Sequence, residues 1–220
     1  RSSDVCSSDL LKYDEISLEG DGAVLERGCF YVVPLLESLA LGPDVAGAAN
    51  PKSSTGRLDI FTLLITDHGD RFDEVAPGYI GPLYAEVSPR SFSVRVRQGS
   101  RLNQLRFRGQ STPGAATLSD AELAELHRRS PLVDGPLNLR DGVVLRVALD
   151  ADAFGGVVGY RAQKHTDVID VDRIGAYAID DYWDRLPARD GRLILDPGDF
   201  YILASRERLA IPADFAARSE

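Results

Sequence analysis

The chain has 220 residues, 44% of them apolar and 27% charged, with a net charge of −9, which is enough for one large domain or two small ones with real cores. Its longest apolar stretches, such as Cys29 to Leu36, are far too short to span a bilayer, and no basic segment leading into an apolar one opens the chain, so a soluble, cytoplasmic protein is expected. The acidic balance repels a nucleic-acid backbone, which excludes polymeric DNA or RNA as the expected partner and leaves small anions.

In chain order, residues 1–10 (RSSDVCSSDL) repeat Ser-Ser-Asp without apolar periodicity and read as a non-native tail, as do residues 218–220. Next comes a segment that recurs. An offset of 170 positions aligns LERGCFYVVPLLESLALGPDVAG (Leu25 to Gly47) without gaps on LDPGDFYILASRERLAIPADFAA (Leu195 to Ala217). Each copy reads as a turn at Gly28 or Gly198, an apolar strand, then a shorter strand closed by a Pro and Asp turn. One β-rich lobe is therefore expected twice, the second copy truncated.

NPKSSTGRLD (Asn50 to Asp59) sets two hydroxyls, a lysine and an arginine on a turn. Hydroxyls, turn amides and fixed cations suit a phosphate, although the turn lacks the spacing of a Walker loop and by itself reads first as an ordinary solvated turn. APGYIGPLYAEV (Ala76 to Val87) enters tightly and then alternates. Leu83, Ala85 and Val87 fall on one face, Tyr84 and Glu86 on the other. By spacing alone such a glutamate reads as solvent-facing.

FSVRV (92–96), LNQLRF (102–107) and VVLRVAL (143–149) carry strand patterns, so the chain is expected to be mainly β. One short helix is expected near 119–128, capped by Ser119 with Glu122 reaching back. DDYWD (180–184) reads as a turn or short helix. The organisation that follows is a first lobe over 11–110, a linker helix and bridging β segment over 111–189, and the start of a second lobe over 190–217. Cys6 and Cys29 are the only cysteines, and His68, His127 and His165 stand apart with no His-x-Glu or Cys-x-x-Cys beside them. The zinc signature of nucleobase deaminases is absent, and no zinc is expected.

KSSTGRLD is similar to the Arg-Ser-Ser-x-x-Arg-Leu motif of the deoxycytidine triphosphate deaminase and deoxyuridine triphosphatase superfamily. PGYIGPLYAEV is similar to that superfamily's Pro-Gly-Trp-x-Gly-x-x-x-x-Glu strand, and RQGSRLNQLRF (Arg97 to Phe107) to its Pro-Gly-x-x-x-x-Gln-Leu-x-Phe strand. With the repeat, the whole resembles a fragment of the long, two-lobed bacterial deaminases. The resemblance implies a distorted β barrel of short antiparallel strands, internally duplicated, and hydrolytic deamination of dCTP to dUTP, with little activity in a fragment alone. It implies Glu86, Arg57 and Ser53 as catalytic residues, Lys52 and Ser54 toward phosphate, and Gln104 near the ligand. It also implies Mg²⁺ accompanying the triphosphate, and a homo-oligomer with sites between lobes or subunits. Ala76 stands where the family places an aspartate against the sugar. Two other readings use the same residues: a dUTP diphosphatase, and a non-catalytic nucleotide-binding lobe.

Overall fold

Short strands separated by glycine and aspartate turns account for most of the computed structural model, which describes residues 15–109, 117–150, 155–187 and 190–217. The tails expected at 1–10 and 218–220 lie outside the described residues, as do the end of the expected first lobe at 110 and the start of the expected linker at 111–116. Among the described residues two compact units separate: the first draws on Arg1–Gln110 and Lys164–Tyr177, the second on Ser111–Gln163 and Ala178–Glu220.

The first unit contains strands β1 (Ala23–Leu25), β2 (Tyr31–Ala40), β3 (Val45–Pro51), the five-residue helix α1 (Ser53–Arg57), β4 (Ile60–Thr66), β5 (Glu74–Val75), β6 (Ile80–Pro89), β7 (Val94–Val96), β8 (Asn103–Gly109) and, from the distant segment, β10 (Ile169–Asp170). They form three small sheets, ordered β2-β6-β4, β5-β3-β8 and β1-β7-β10. All pairings are antiparallel except β7 with β10, which run parallel. Alternation decides which side of each strand is covered. Leu83, Ala85 and Val87 of β6 are buried, as are Thr62 and Leu64 of β4. Ala49, Leu64, Val75 and Leu83 make one core cluster, against which Leu35, Leu39, Leu41, Tyr79 and Leu105 pack. Residues from β3, β4, β5 and β6 thus meet in one apolar interior, where each fully buried leucine contributes about 1.5–3 kcal/mol.

The second unit holds α2 (Asp120–Arg129), β9 (Val157–Ala162), a single 3₁₀ turn (Ile179–Asp181), β11 (Trp183–Pro187) and β12 (Tyr201–Leu203), in a sheet ordered β11-β9-β12. Helix α2 starts as its local sequence dictates: Ser119 Oγ accepts from the Glu122 amide, and Glu122 returns to the Ser119 amide at 2.8 Å. DDYWD supplies the 3₁₀ turn and the beginning of β11, in line with the turn expected there. The strand expected over 143–149 does not form. Only isolated bridges join Leu139 to Val143 and Val147 to Ser205. Its apolar run finds no partner strand along its length, and Val144, Leu145 and Val147 remain exposed.

The repeated segments share a turn and differ in pairing. Gly28 and Gly198 have φ of 82° and 81°, in the left-handed region that glycine enters without strain. The Tyr31 hydroxyl accepts from the Glu26 amide at 2.8 Å, and that of Tyr201 from the Asp196 amide at 2.9 Å. Beyond the turn β2 pairs with β6, whereas β12 pairs with β9, so the strand pairs themselves are not equivalent.

Candidate functional site

Strand β3 ends at Pro51, and the chain turns at once into α1, whose five residues are held from below by a single carbonyl. The Lys52 amide donates to the Leu102 carbonyl at 2.9 Å, and the buried Thr55 hydroxyl donates to the same oxygen at 2.7 Å. Anchoring through Thr55 leaves Ser53, Ser54 and Arg57 exposed and Lys52 half-buried. Leu102 leads into β8, where Gln104 lies directly across from Asn50. Lys52, Ser53, Ser54, Arg57 and Gln104, picked out from separate sequence motifs, therefore belong to one corner of the first unit.

Asp59, the last residue of the NPKSSTGRLD motif, closes that corner. It takes the left-handed turn between α1 and β4, with φ of 54°. Its carboxylate accepts from the Ser91 hydroxyl at 2.7 Å, and its carbonyl from the Arg90 amide at 2.9 Å. Burial pushes its carboxyl up from the ordinary aspartate value, opposed by the Ser91 hydroxyl and the charges of Arg90 and Arg27. No local signal announces these contacts, because their partners lie more than thirty positions away.

Glu86 sits on the central strand of the β2-β6-β4 sheet, between Val32 and Leu63. It is half-buried on the face opposite Leu83, Ala85 and Val87, as period-two alternation requires. Its surroundings on that face are largely apolar and open: Val32 is 67% exposed, and Phe61, across from Ser88, is 42% exposed. The register sets Ile60 against Pro89, three residues beyond Glu86. The α1 end of β4 is thus about 10 Å along the strand from the glutamate, at ~3.4 Å per residue. Among the described residues no hydrogen bond or ion pair joins Glu86 to Ser53 or Arg57.

Ala76 is exposed in the turn between β5 and β6, where its carbonyl accepts from the Tyr79 amide. The motif's Tyr79 has a structural task. Its hydroxyl accepts from the Asp67 amide at 3.1 Å and donates to the Pro82 carbonyl, fastening the end of β4 to the start of β6. Asn103, beside Gln104 on the alternate face of β8, has both ends of its amide buried without a hydrogen-bond partner. Sequence reasoning passed over it because the resemblance marked its neighbour.

Among the described residues no three His, Cys, Asp or Glu side chains gather where one metal ion could bind them. The turn from Lys52 to Arg57 instead presents the hydroxyls of Ser53 and Ser54, a lysine and an arginine. Such groups give hydrogen bonds and positive charge, which matches an anionic phosphate ester and not a cation.

Comparison with known families matches a model of the 2′-deoxycytidine 5′-triphosphate deaminase N-terminal domain over residues 4–111 and one of the C-terminal domain over residues 119–220. The chain is similar to the crystal structure of 2′-deoxycytidine 5′-triphosphate deaminase from Agrobacterium tumefaciens, with a TM-score of 0.79 and 50% sequence identity. That similarity covers 86% of this chain and 56% of the Agrobacterium chain. The chain therefore spans a little over half the length of this relative. No curated protein matches the sequence.

Proposed function

The chain belongs to the 2′-deoxycytidine 5′-triphosphate deaminase family, and from that premise we propose that the protein hydrolyses dCTP to dUTP and ammonia. Water adds to C4 of the cytosine ring and gives a proton to the Glu86 carboxylate. The carboxyl returns that proton to the amino group, the C4–N bond breaks and ammonia leaves, and the proton left on the C4 hydroxyl passes to ring N3, so that a carbonyl remains at C4. Proton transfer of this kind contributes roughly 10² to 10⁴ in rate. Arg57 and Ser53 hold the water and the charge that develops on the ring. Lys52 and Ser54 receive the triphosphate, which enters with Mg²⁺ as its counterion, and Gln104 lies beside the ligand.

The observation that carries this reading is the meeting of two motifs at one carbonyl. The Lys52–Thr55 turn rests on Leu102, at the approach to Gln104, while β4 runs from that turn to the strand bearing Glu86. Among the described residues Glu86 and Arg57 are not paired, and Ala76 brings no carboxylate to the position where the family has an aspartate. Both features fit a site completed by another lobe or subunit, in a homo-oligomer of duplicated, barrel-like lobes. The recurring Gly28 and Gly198 turns support the duplication.

Replacing Glu86 with Gln in the full-length protein keeps size and most hydrogen bonding but removes the proton acceptor. Turnover of dCTP should fall about a hundredfold or more, with nucleotide affinity and melting temperature nearly unchanged. Turnover at the parental rate would make this lobe a non-catalytic nucleotide-binding element.

A further inference from the structure

Two aspartates from a distant segment grip the turn on which the candidate corner rests. We propose that Asp170 and Asp172 are positioning residues of the substrate site, fixing the Leu102 carbonyl, and with it the Lys52–Thr55 turn, through Arg97 and Ser100. The proposal rests on the site reading given above and adds residues that none of its motifs contains.

Residues Lys164–Tyr177 belong to the first unit although more than fifty positions separate them from the end of β8. Within them β10 lies parallel to β7, with the Ile169 amide donating to Ser93 at 3.0 Å and the Val171 amide to Arg95 at 3.2 Å. Two residues of parallel pairing hold little by themselves. The grip comes from side chains. Arg97 donates through both terminal nitrogens to the two oxygens of Asp170, each at 2.7 Å, and that carboxylate is buried. A bidentate guanidinium–carboxylate pair fixes orientation as well as distance. Asp172 accepts from the Ser100 hydroxyl at 2.6 Å and lies 3.5 Å from Arg97.

The same hydroxyl accepts from the Arg97 amide at 2.9 Å, so Arg97 and Ser100, the two ends of one turn, are both held by the strap. Only Arg101 separates that turn from Leu102, whose carbonyl carries the Lys52 amide and the Thr55 hydroxyl. A path this short, about 7 Å of chain at most, leaves little slack between the aspartates and the corner.

The test uses the full-length protein, with dCTP kinetics and amide hydrogen exchange read together. Asp172→Ala and Asp170→Asn should each raise KM for dCTP and lower kcat/KM about tenfold or more, because the misplaced turn carries Lys52 and Ser54 toward phosphate and Ser53 toward the ring. The Lys52 amide should exchange about tenfold faster, with the Ala85 and Val87 amides of β6 unchanged. Asp172→Asn keeps an oxygen that accepts from Ser100 and should restore most of both effects. Asp180→Asn, which breaks the Arg185 pair in the second unit, should alter neither. Unchanged KM and unchanged Lys52 exchange in Asp172→Ala and Asp170→Asn overturn the proposal. So does a lowered melting temperature with faster exchange throughout the unit and no change in KM, the mark of a plain staple. If the parent protein does not turn over dCTP, the functional reading fails separately, and the Lys52 exchange still decides the positioning.

Discussion

Asp59 and Asp170 are carboxylates of the same unit with opposite proton affinities, and the difference lies in what surrounds each. Burial dominates at Asp59 and raises its pKa; the Ser91 hydroxyl and the nearby arginines only moderate that shift. At Asp170 the hydrogen bonds from Arg97 outweigh desolvation, and its pKa falls to about 2. A carboxyl with a raised folded-state pKa binds its proton more tightly in the folded chain than in the unfolded one. Its stabilising contribution is complete below the unfolded value of about 3.9 and is lost as pH rises through the folded value. Asp59→Asn, which still accepts from Ser91, should therefore melt at or above the parent temperature at pH 7 and level with it near pH 3. Asp170 has the reverse sign: its contribution is present above about pH 4 and disappears as pH falls toward 2. Asp170→Asn should melt below the parent at pH 7, with the gap closing over that interval. Melting curves of both variants between pH 2 and 7 check the pair, and slopes of the same sign would contradict the assigned causes.

Elements whose signals are local could be read from the sequence, and those made by distant partners could not. Helix α2 follows from Ser119 and Glu122, three positions apart, whose reciprocal bonds form as the pattern requires. Ser119→Ala should cost about 1 kcal/mol, within a range of roughly 0.5–2, when urea unfolding of the second unit is followed. No loss would mean that packing of Leu126 alone sustains the helix. Alternation likewise placed β7, β8 and the face of Glu86. It failed over 143–149, where an apolar run was available but Val147 met only Ser205. It could not have found β10, two residues whose pairing partner lies some seventy-five positions earlier. The candidate site divides in the same way. The residues of the corner were named by motif, whereas the Leu102 carbonyl, Asp59, Tyr79 and the Asp170–Arg97 pair are long-range or backbone contacts that no spacing encodes.

At the scale of the whole chain, the repeated segment is a turn module used in two settings. In each copy a glycine near φ 82° turns the chain, and a tyrosine hydroxyl five positions after the first turn residue accepts that residue's amide. A further backbone bond closes each turn, from Cys29 to Glu26 at 3.2 Å and from Asp199 to Asp196 at 3.3 Å. The following strand then joins β6 in one unit and β9 in the other, so the similarity is carried by the turn and not by a shared sheet. If the turn is the module, removing its tyrosine hydroxyl must act alike in both places. Tyr31→Phe and Tyr201→Phe each take away one acceptor and keep the ring, a loss of about 1 kcal/mol. Because two units need not unfold together, a single melting temperature is the wrong measure, and exchange at the individual turn amides is the right one. The Glu26 amide should exchange roughly fivefold faster in Tyr31→Phe, and the Asp196 amide by a similar factor in Tyr201→Phe, about 1 kcal/mol in each case. Each amide should be untouched by the other substitution, and the double variant should show both changes without coupling, as expected for sites that share no partner. A change at one turn only would mean that the two segments share residues without sharing the interaction those residues make.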